Sequence, residues 1–156
     1  MNSATPPSEV RSLRTLLSGE HARLEKVFDD LLAAVAANAT AEAAKLWSEF
    51  DARLLAHLEL EEQHILPLFA RAHPTEAARI HEEHAQIRSA LLKLGVGVDL
   101  HLARAEVISH FVELLRTHAA REDKLMYAWS EEHLDPKLRA TLLERLFARV
   151  TSMPAQ

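Results

Sequence analysis

The sequence predicts an all-α fold, an antiparallel up-down four-helix bundle with an additional C-terminal helix, and three observations carry that prediction. Only 3 glycines and 5% aromatic residues stand among abundant Ala, Leu, Glu and Arg, a composition that favours helices over sheets rich in turns and β-branched runs. Apolar residues recur at three- and four-residue steps in four long stretches, the period of one helix face. The segments between these stretches are a few residues long, so neighbouring helices run antiparallel and bury their stripes together. At 156 residues, 48% apolar and 26% charged, the chain reads as a single domain over residues 1–156, with the bundle at about 8–132 and the extra helix at about 136–150.

Pro6-Pro7-Ser8 offers a start signal for the first helix, whose stripe runs Leu13, Leu16, Leu17, Leu24, Phe28, Leu31, Leu32 and Val35 to an end near Asn38. Ser18-Gly19 inside it predicts a bend or a short leading helix, because an interior glycine costs about 1 kcal/mol against alanine. Thr40 can cap the second helix, at about 41–70, whose stripe of Leu46, Phe50, Leu54, Leu58, Ile65 and Leu68 is closed by Pro67 and His73-Pro74. Pro74 suits the first turn of a third helix at about 75–94, with Ala77, Ile80, Ile87, Leu91 and Leu94 stopped by Gly95-Val96-Gly97. Asp99 can cap a fourth at about 100–132, carrying Val107, Ile108, Phe111, Leu114, Leu115 and Leu125. Asp135-Pro136 opens the last helix, with Leu138, Leu142, Leu143, Leu146 and Val150, which packs on the outside of the others.

Composition also excludes function classes. With 18 basic and 23 acidic residues the formal charge is −5, which gives no general attraction to phosphate backbones and argues against a nucleic-acid partner. The longest apolar run, Leu31 to Ala37, falls far below the roughly 20 residues that cross a bilayer, so no membrane span is expected. The start, Met1-Asn-Ser-Ala-Thr-Pro-Pro, lacks the basic and apolar regions of a secretion signal, and a cytoplasmic location is the default expectation. The absence of cysteine removes disulfides, thiolate zinc sites, cysteine-ligated clusters and thiol nucleophiles, so any metal must be held by nitrogen and oxygen.

What stands out is 10 histidines, arranged by an internal repeat. Glu20-His21-Ala22-Arg23-Leu24 on the first helix matches Glu83-His84-Ala85-Gln86-Ile87 on the third, and His57-x-x-x-Glu61-Glu62 on the second matches His118-x-x-x-Glu122-Asp123 on the fourth. The chain therefore reads as two helical hairpins, each contributing one His from its first helix and a His-x-x-x-Glu pair from its second. Four residues make about one turn plus 40°, so His57 with Glu61, and His118 with Glu122, project from one face a turn apart. That face is the apolar one: Phe50 and Leu54 precede His57 as Phe111 and Leu115 precede His118, while His21 and His84 lie in line with the leucine and isoleucine stripes of their own helices. A buried unpaired carboxylate costs several kcal/mol, and two facing each other hold protons unless a cation sits between them. Imidazoles and carboxylates suit iron, manganese and zinc, and six inward groups exceed the four of a structural zinc site. Two metal ions bridged by Glu61 and Glu122 fit this inventory, and the ligand charge of −2 would half neutralise two divalent ions, leaving room for a small anion or dioxygen.

Other polar residues lie near this set. His81 precedes His84 by three positions, about 60° around the helix, and is a candidate fifth imidazole; Asp123 could take the place of Glu122 if the fourth helix were rotated. His64 completes Glu61-x-x-His64, yet its repeat counterpart is Leu125, which suits packing or a supporting hydrogen bond. Tyr127 lies about 180° from His118 on an ideal helix and is not expected to be a ligand. Glu62 and Asp123 otherwise read as solvated or capping charges. His110 and His101 sit about 80° and 100° off the inward face, and His73 and His133 belong to helix ends.

These motifs resemble those of the hemerythrin-like family, the HHE cation-binding domains. Over about residues 10–132, Glu20-His21, His57-Leu-Glu-Leu-Glu61-Glu62 followed by Ile65-Leu66-Pro67, Glu83-His84, and His118-Ala-Ala-Arg-Glu122-Asp123 look like the family's successive ligand motifs. The resemblance implies a four-helix bundle holding a non-haem di-iron centre. Oxygen-carrying members are known for five histidines, with His-x-x-x-His on the third helix and His-x-x-x-x-Asp on the fourth. Here His81 stands at a spacing of three and His118 has Glu122 at four and Asp123 at five, which points away from a dedicated oxygen carrier. The family's iron-centre repair proteins carry a cysteine-containing leading domain, and these 156 residues, without cysteine, are not expected to be one of them.

The expectation is a protein with two non-haem iron ions, manganese or zinc being the alternatives, that binds or senses dioxygen, nitric oxide or peroxide. His21, His57, His84 and His118 would be terminal ligands, with Glu61 and Glu122 bridging. Peroxidase-like or nitric-oxide-reducing turnover at the same centre, and iron storage or delivery, are the alternatives. A ferritin-like oxidase needs two Glu-x-x-His pairs, and only Glu61-x-x-His64 is present.

Overall fold

The computed structural model describes residues 12–99 and 105–152, and among them every element is helical. The elements are α1 (Leu13–Ala36), α2 (Thr40–His64), α3 (Leu66–Ala72), α4 (Pro74–Asp99), α5 (Ala105–Arg121), a π-helical segment (Glu122–Tyr127), α6 (Ala128–His133) and α7 (Pro136–Ser152). α1 packs against α2, α2 against α4 and α4 against α5, while the π segment and α6 return to α1. The fold is the expected antiparallel four-helix bundle, its second and fourth members being the composite helices α2–α3 and α5–α6, with α7 added at one end. No described helix is long and apolar enough to cross a membrane.

Ser12 starts α1, its hydroxyl accepting from the Thr15 N–H at 3.2 Å, and the Glu131 carboxylate accepts from the Arg14 N–H at 3.3 Å. Pro6-Pro7-Ser8 lies outside the described residues. No short leading helix is divided off at Ser18-Gly19: α1 runs through it, because Leu13, Leu17, Leu24 and Phe28 on either side are buried and tertiary packing outweighs one unfavourable glycine. Asn38 closes α1 at φ 54°, a left-handed conformation that asparagine tolerates better than most residues. Ala39 then precedes α2, so Thr40 is the first helical residue rather than the expected cap.

Two other boundaries differ from the sequence expectation. The helix expected over 41–70 is interrupted at Ile65, since Pro67 has no N–H to continue the ladder and sits instead in the first turn of α3. The third helix does not stop at Gly95-Val96-Gly97 but continues to Asp99. Leu94 and Val98 are buried, and a Cβ on Gly95 would lie 3.0 Å from Trp47 Cζ2, so this glycine admits an indole rather than ending the helix. Asp99 is the last residue of α4, and 100–104, the expected start of the fourth helix, lie outside the described residues. Asp135 behaves as expected, accepting from the Lys137 N–H at 2.7 Å ahead of α7.

The core falls into two apolar clusters. One gathers Leu24, Phe28, Leu31, Phe50, Leu54, Leu58, Ile87, Leu91 and Phe111; the rings of Phe28, Phe50 and Phe111 lie 5.0–6.0 Å apart. The other gathers Leu13, Leu17, Leu60, Ile65, Phe69, Ile80, Met126 and Leu134 with Leu142 and Leu146 of α7. In α1 the first cluster begins at Leu24 and the second ends at Leu17, which leaves His21 between them; His84 is framed likewise by Ile80 and Ile87.

Candidate metal centre

Between the two clusters lies a polar layer. His57, Glu61, His84, His118 and Glu122 are buried, at most 4% exposed, and His21 is partly buried. Helical spacing does what it predicted: His57 Nε2 stands 2.7 Å from Glu61 Oε1, and His118 Nε2 stands 2.8 Å from Glu122 Oε1. The other contacts cross helices. His84 Nε2 lies 3.3 Å from Glu61 Oε2 and 3.2 Å from Glu122 Oε2, and His21 Nε2 lies 3.3 Å from Glu122 Oε1. His21, His57, Glu61 and Glu122 form one group whose ligand atoms all lie within 4.8 Å of one another, and Glu61, His84, His118 and Glu122 form a second. Both carboxylates are common to both groups.

Several of these atoms lack the hydrogen bonds that burial demands. His57 Nδ1, Glu61 Oε2, His118 Nε2 and Glu122 Oε1 have no hydrogen-bond partner, although the last two lie only 2.8 Å apart. Carboxylate oxygens and imidazole nitrogens gathered within 4.8 Å of one another in a buried layer, several of them unpartnered, are the donor set for a borderline cation, so the residues present fit a metal.

The electrostatics agree. Burial, with the charge of Glu61 next, raises the Glu122 carboxyl well above its usual range. Burial acts the same way on Glu61, but the charge of His57 and the close approach of Glu122, His57 and His84 hold it well below. Burial opposes a charge on His84, yet its hydrogen bond to Glu122 and the facing Glu61 carboxylate win and push it up to about 9. Burial and the neighbouring His57 lower His21 to about 3, and burial likewise lowers His118. Two carboxylates sharing one site cannot both ionise cheaply without a cation, so Glu122 and His84 hold protons that a metal would displace.

A second ring of side chains fixes the imidazoles. His84 Nδ1–H donates to Glu62 at 3.0 Å, which leaves Nε2 facing the carboxylates, and Arg88 clamps Glu62 through both nitrogens at 2.5 and 2.7 Å. His118 Nδ1 stands 3.4 Å from Glu83, itself held by Arg121 Nε at 2.9 Å. Glu62, read from the sequence as a solvated charge, is therefore a positioning residue for His84. The legible signal is adjacency: Glu62 follows Glu61, and Glu83 precedes His84.

Tyr127 is the largest departure. It is fully buried, its hydroxyl donates to Glu61 Oε1, and its oxygen lies 3.0 Å from His57 Nε2 and 3.1 Å from His21 Nε2. Burial and the charges of Glu122 and Glu61 raise this phenol well above its ordinary range, which keeps it a donor. The 180° separation from His118 assumes about 100° per residue; the π segment turns less per residue and brings Tyr127 round to the inward face. The Ser130 hydroxyl donates to the Met126 carbonyl at 2.6 Å just beyond.

The remaining candidates stand outside both groups. His81 is exposed on α4, since the inward face there belongs to His84. Asp123 is 45% exposed and turned to α1, accepting from Ser18 at 2.7 Å and pairing with Arg14. His64 accepts from Arg145 of α7 at 2.9 Å, and His110 is exposed. His73 caps the end of α3 and His133 stacks on Trp129 at the end of α6, while His101 lies outside the described residues.

Searches among curated proteins and among solved structures find no significant match. The description that does match is the hemerythrin HHE cation binding domain, over residues 12–130, a span that includes all six residues of the polar layer. The chain belongs to the hemerythrin HHE cation-binding family.

Proposed function

We propose that this protein holds two non-haem iron ions and binds or senses a small oxidant: dioxygen, nitric oxide or peroxide. The observation that carries the reading is the sharing of Glu61 and Glu122 by two buried groups of four ligands. His21 and His57 would hold one ion, His84 and His118 the other, and the two carboxylates both. Ferrous ions so held would supply electrons and open coordination positions to the oxidant. The chain's own contribution is to orient the imidazoles through Glu62 and Glu83, to limit water with the flanking apolar clusters, and to offer a phenol proton at Tyr127 Oη. That phenol, a neutral donor beside the shared carboxylate, favours a second reading in which the same centre reduces peroxide with turnover.

The test is anaerobic purification and ferrous loading, then metal counting and absorption spectra before and after dioxygen, peroxide or nitric oxide. About two iron ions per chain and an oxidant-dependent spectrum are expected from this ligand inventory. His57→Ala and Glu122→Ala should each lose metal, whereas His110→Ala should not. Equal metal in all three variants would reject the ligand assignment, and full loading with manganese or zinc alone would reject iron. Multiple turnovers with a reductant would select the enzyme over the sensor.

A further inference from the structure

A cavity of about 220 Å³ opens off the polar layer between α1, α2 and α5. His21, His57 and His118 line its buried end, and Leu24, Phe28, Leu54, Leu58, Val112 and Leu115 line its sides. At the exposed rim Arg116 donates to Glu25 through two nitrogens at 2.5 and 2.9 Å, bridging α5 to α1, and Asp29 lies beside them. This space has a size, a polarity and a charge. An apolar cavity of roughly 150 Å³ already accepts benzene, so a diatomic molecule or hydrogen peroxide would leave most of it unfilled. Its sides offer dispersion contacts and no hydrogen-bond partner, which suits a compact hydrocarbon group. The rim, with two carboxylates and one guanidinium, has a formal charge of −1 and disfavours anions.

Of the oxidants proposed above, only peroxide exists in a form that carries such a group. We propose that this cavity binds the aryl or short branched alkyl group of a neutral organic hydroperoxide, with the peroxy end against His21, His57 and His118. The proposal rests on the oxidant-binding reading and names its substrate class.

The probe is 2-phenyl-2-propanol, the unreactive alcohol corresponding to cumene hydroperoxide, titrated calorimetrically into the protein as purified with its metal in place. Saturable binding near one per chain is expected. Val112→Trp, which fills the cavity away from the ligands, should weaken it about tenfold or more, and Ala119→Leu should act in the same direction should the tryptophan impair folding. Ala78→Leu, on the exposed face of α4, should change nothing. The ratio of cumene hydroperoxide to hydrogen peroxide consumption by the ferrous protein should fall about tenfold in Val112→Trp at unchanged iron content. Absent saturable binding, or an affinity and ratio untouched by both cavity variants, would overturn the proposal. Iron content separates the failures: a chain that takes up no iron refutes the functional reading, whereas full iron without probe binding refutes this inference alone.

Discussion

At single residues, the ligand atoms matter less for prediction than the side chains that hold them, because losing a ligand is expected to lose metal whatever the mechanism. Glu62 joins the Arg88 guanidinium to His84 Nδ1 and so fixes which ring nitrogen faces the carboxylates. Arg88→Ala leaves all six inward groups in place, yet it should weaken metal affinity by about 10–100-fold, the usual consequence of removing support behind a ligating imidazole. Competition with a chelator measures this, and an unchanged constant would show that Glu62 orients His84 unaided. Tyr127→Phe tests a different contact. It removes the donor to Glu61 without opening a cavity, so the metal-free protein should lose about 1–3 kcal/mol in urea denaturation, as a buried carboxylate oxygen loses its partner. A loss within a few tenths of a kcal/mol would mean that the phenol is not bonded there. The six residues of the polar layer are legible in the sequence because a His-x-x-x-Glu spacing on an apolar stripe, repeated along the chain, has one meaning in a regular helix. The role of Glu62 is legible only in part: it follows Glu61 directly, but its partner Arg88 stands 26 positions away.

At the level of elements, legibility ends wherever a helix ceases to be ideal. Tyr127 escapes the helical-wheel argument because a six-residue π segment changes the angle per residue, and nothing in Glu122-Asp-Lys-Leu-Met-Tyr127 announces one. The polar layer itself explains why it forms: both Glu122 and Tyr127 reach the same buried layer only if the turn between them widens. Glycines are hard to read for a related reason, since propensity treats them alike and packing does not. Gly19 lies on the exposed face of α1, where an added methyl group would have nothing within 4 Å, while Gly95 has the Trp47 indole at 3.0 Å. Gly19→Ala should therefore stabilise the protein by about 0.5–1 kcal/mol through backbone entropy and helix propensity. Gly95→Ala should recover less than this or turn destabilising, because the indole must shift. Thermal or urea midpoints of the two variants decide it, and equal gains would show that Trp47 yields freely.

For the molecule as a whole, the arrangement is a polar layer between two apolar clusters, with α7 closing one of them through Leu142 and Leu146. Such a layer without a cation conflicts with the burial around it, and the conflict has a sign that can be measured. His84 is pushed up to about 9 against an ordinary 6.5, so its protonated form favours the folded metal-free chain. That stabilisation is fully present below pH 6.5 and is lost as pH rises through about 9. Metal binding runs the other way. Cations must displace the protons of His84 and Glu122, so affinity rises with pH over the same interval and loading releases protons to the buffer. A metal that binds only the folded chain adds about 2.7 kcal/mol at a hundredfold excess over its dissociation constant. Denaturation midpoints should therefore fall between about pH 7 and about pH 9.5 for the metal-free protein and hold or rise for the loaded one. Calorimetric loading in buffers of different ionisation enthalpy should report the released protons directly. Parallel pH profiles with and without metal, or loading that releases no proton, would show that His84 and Glu122 do not share their site with the cation.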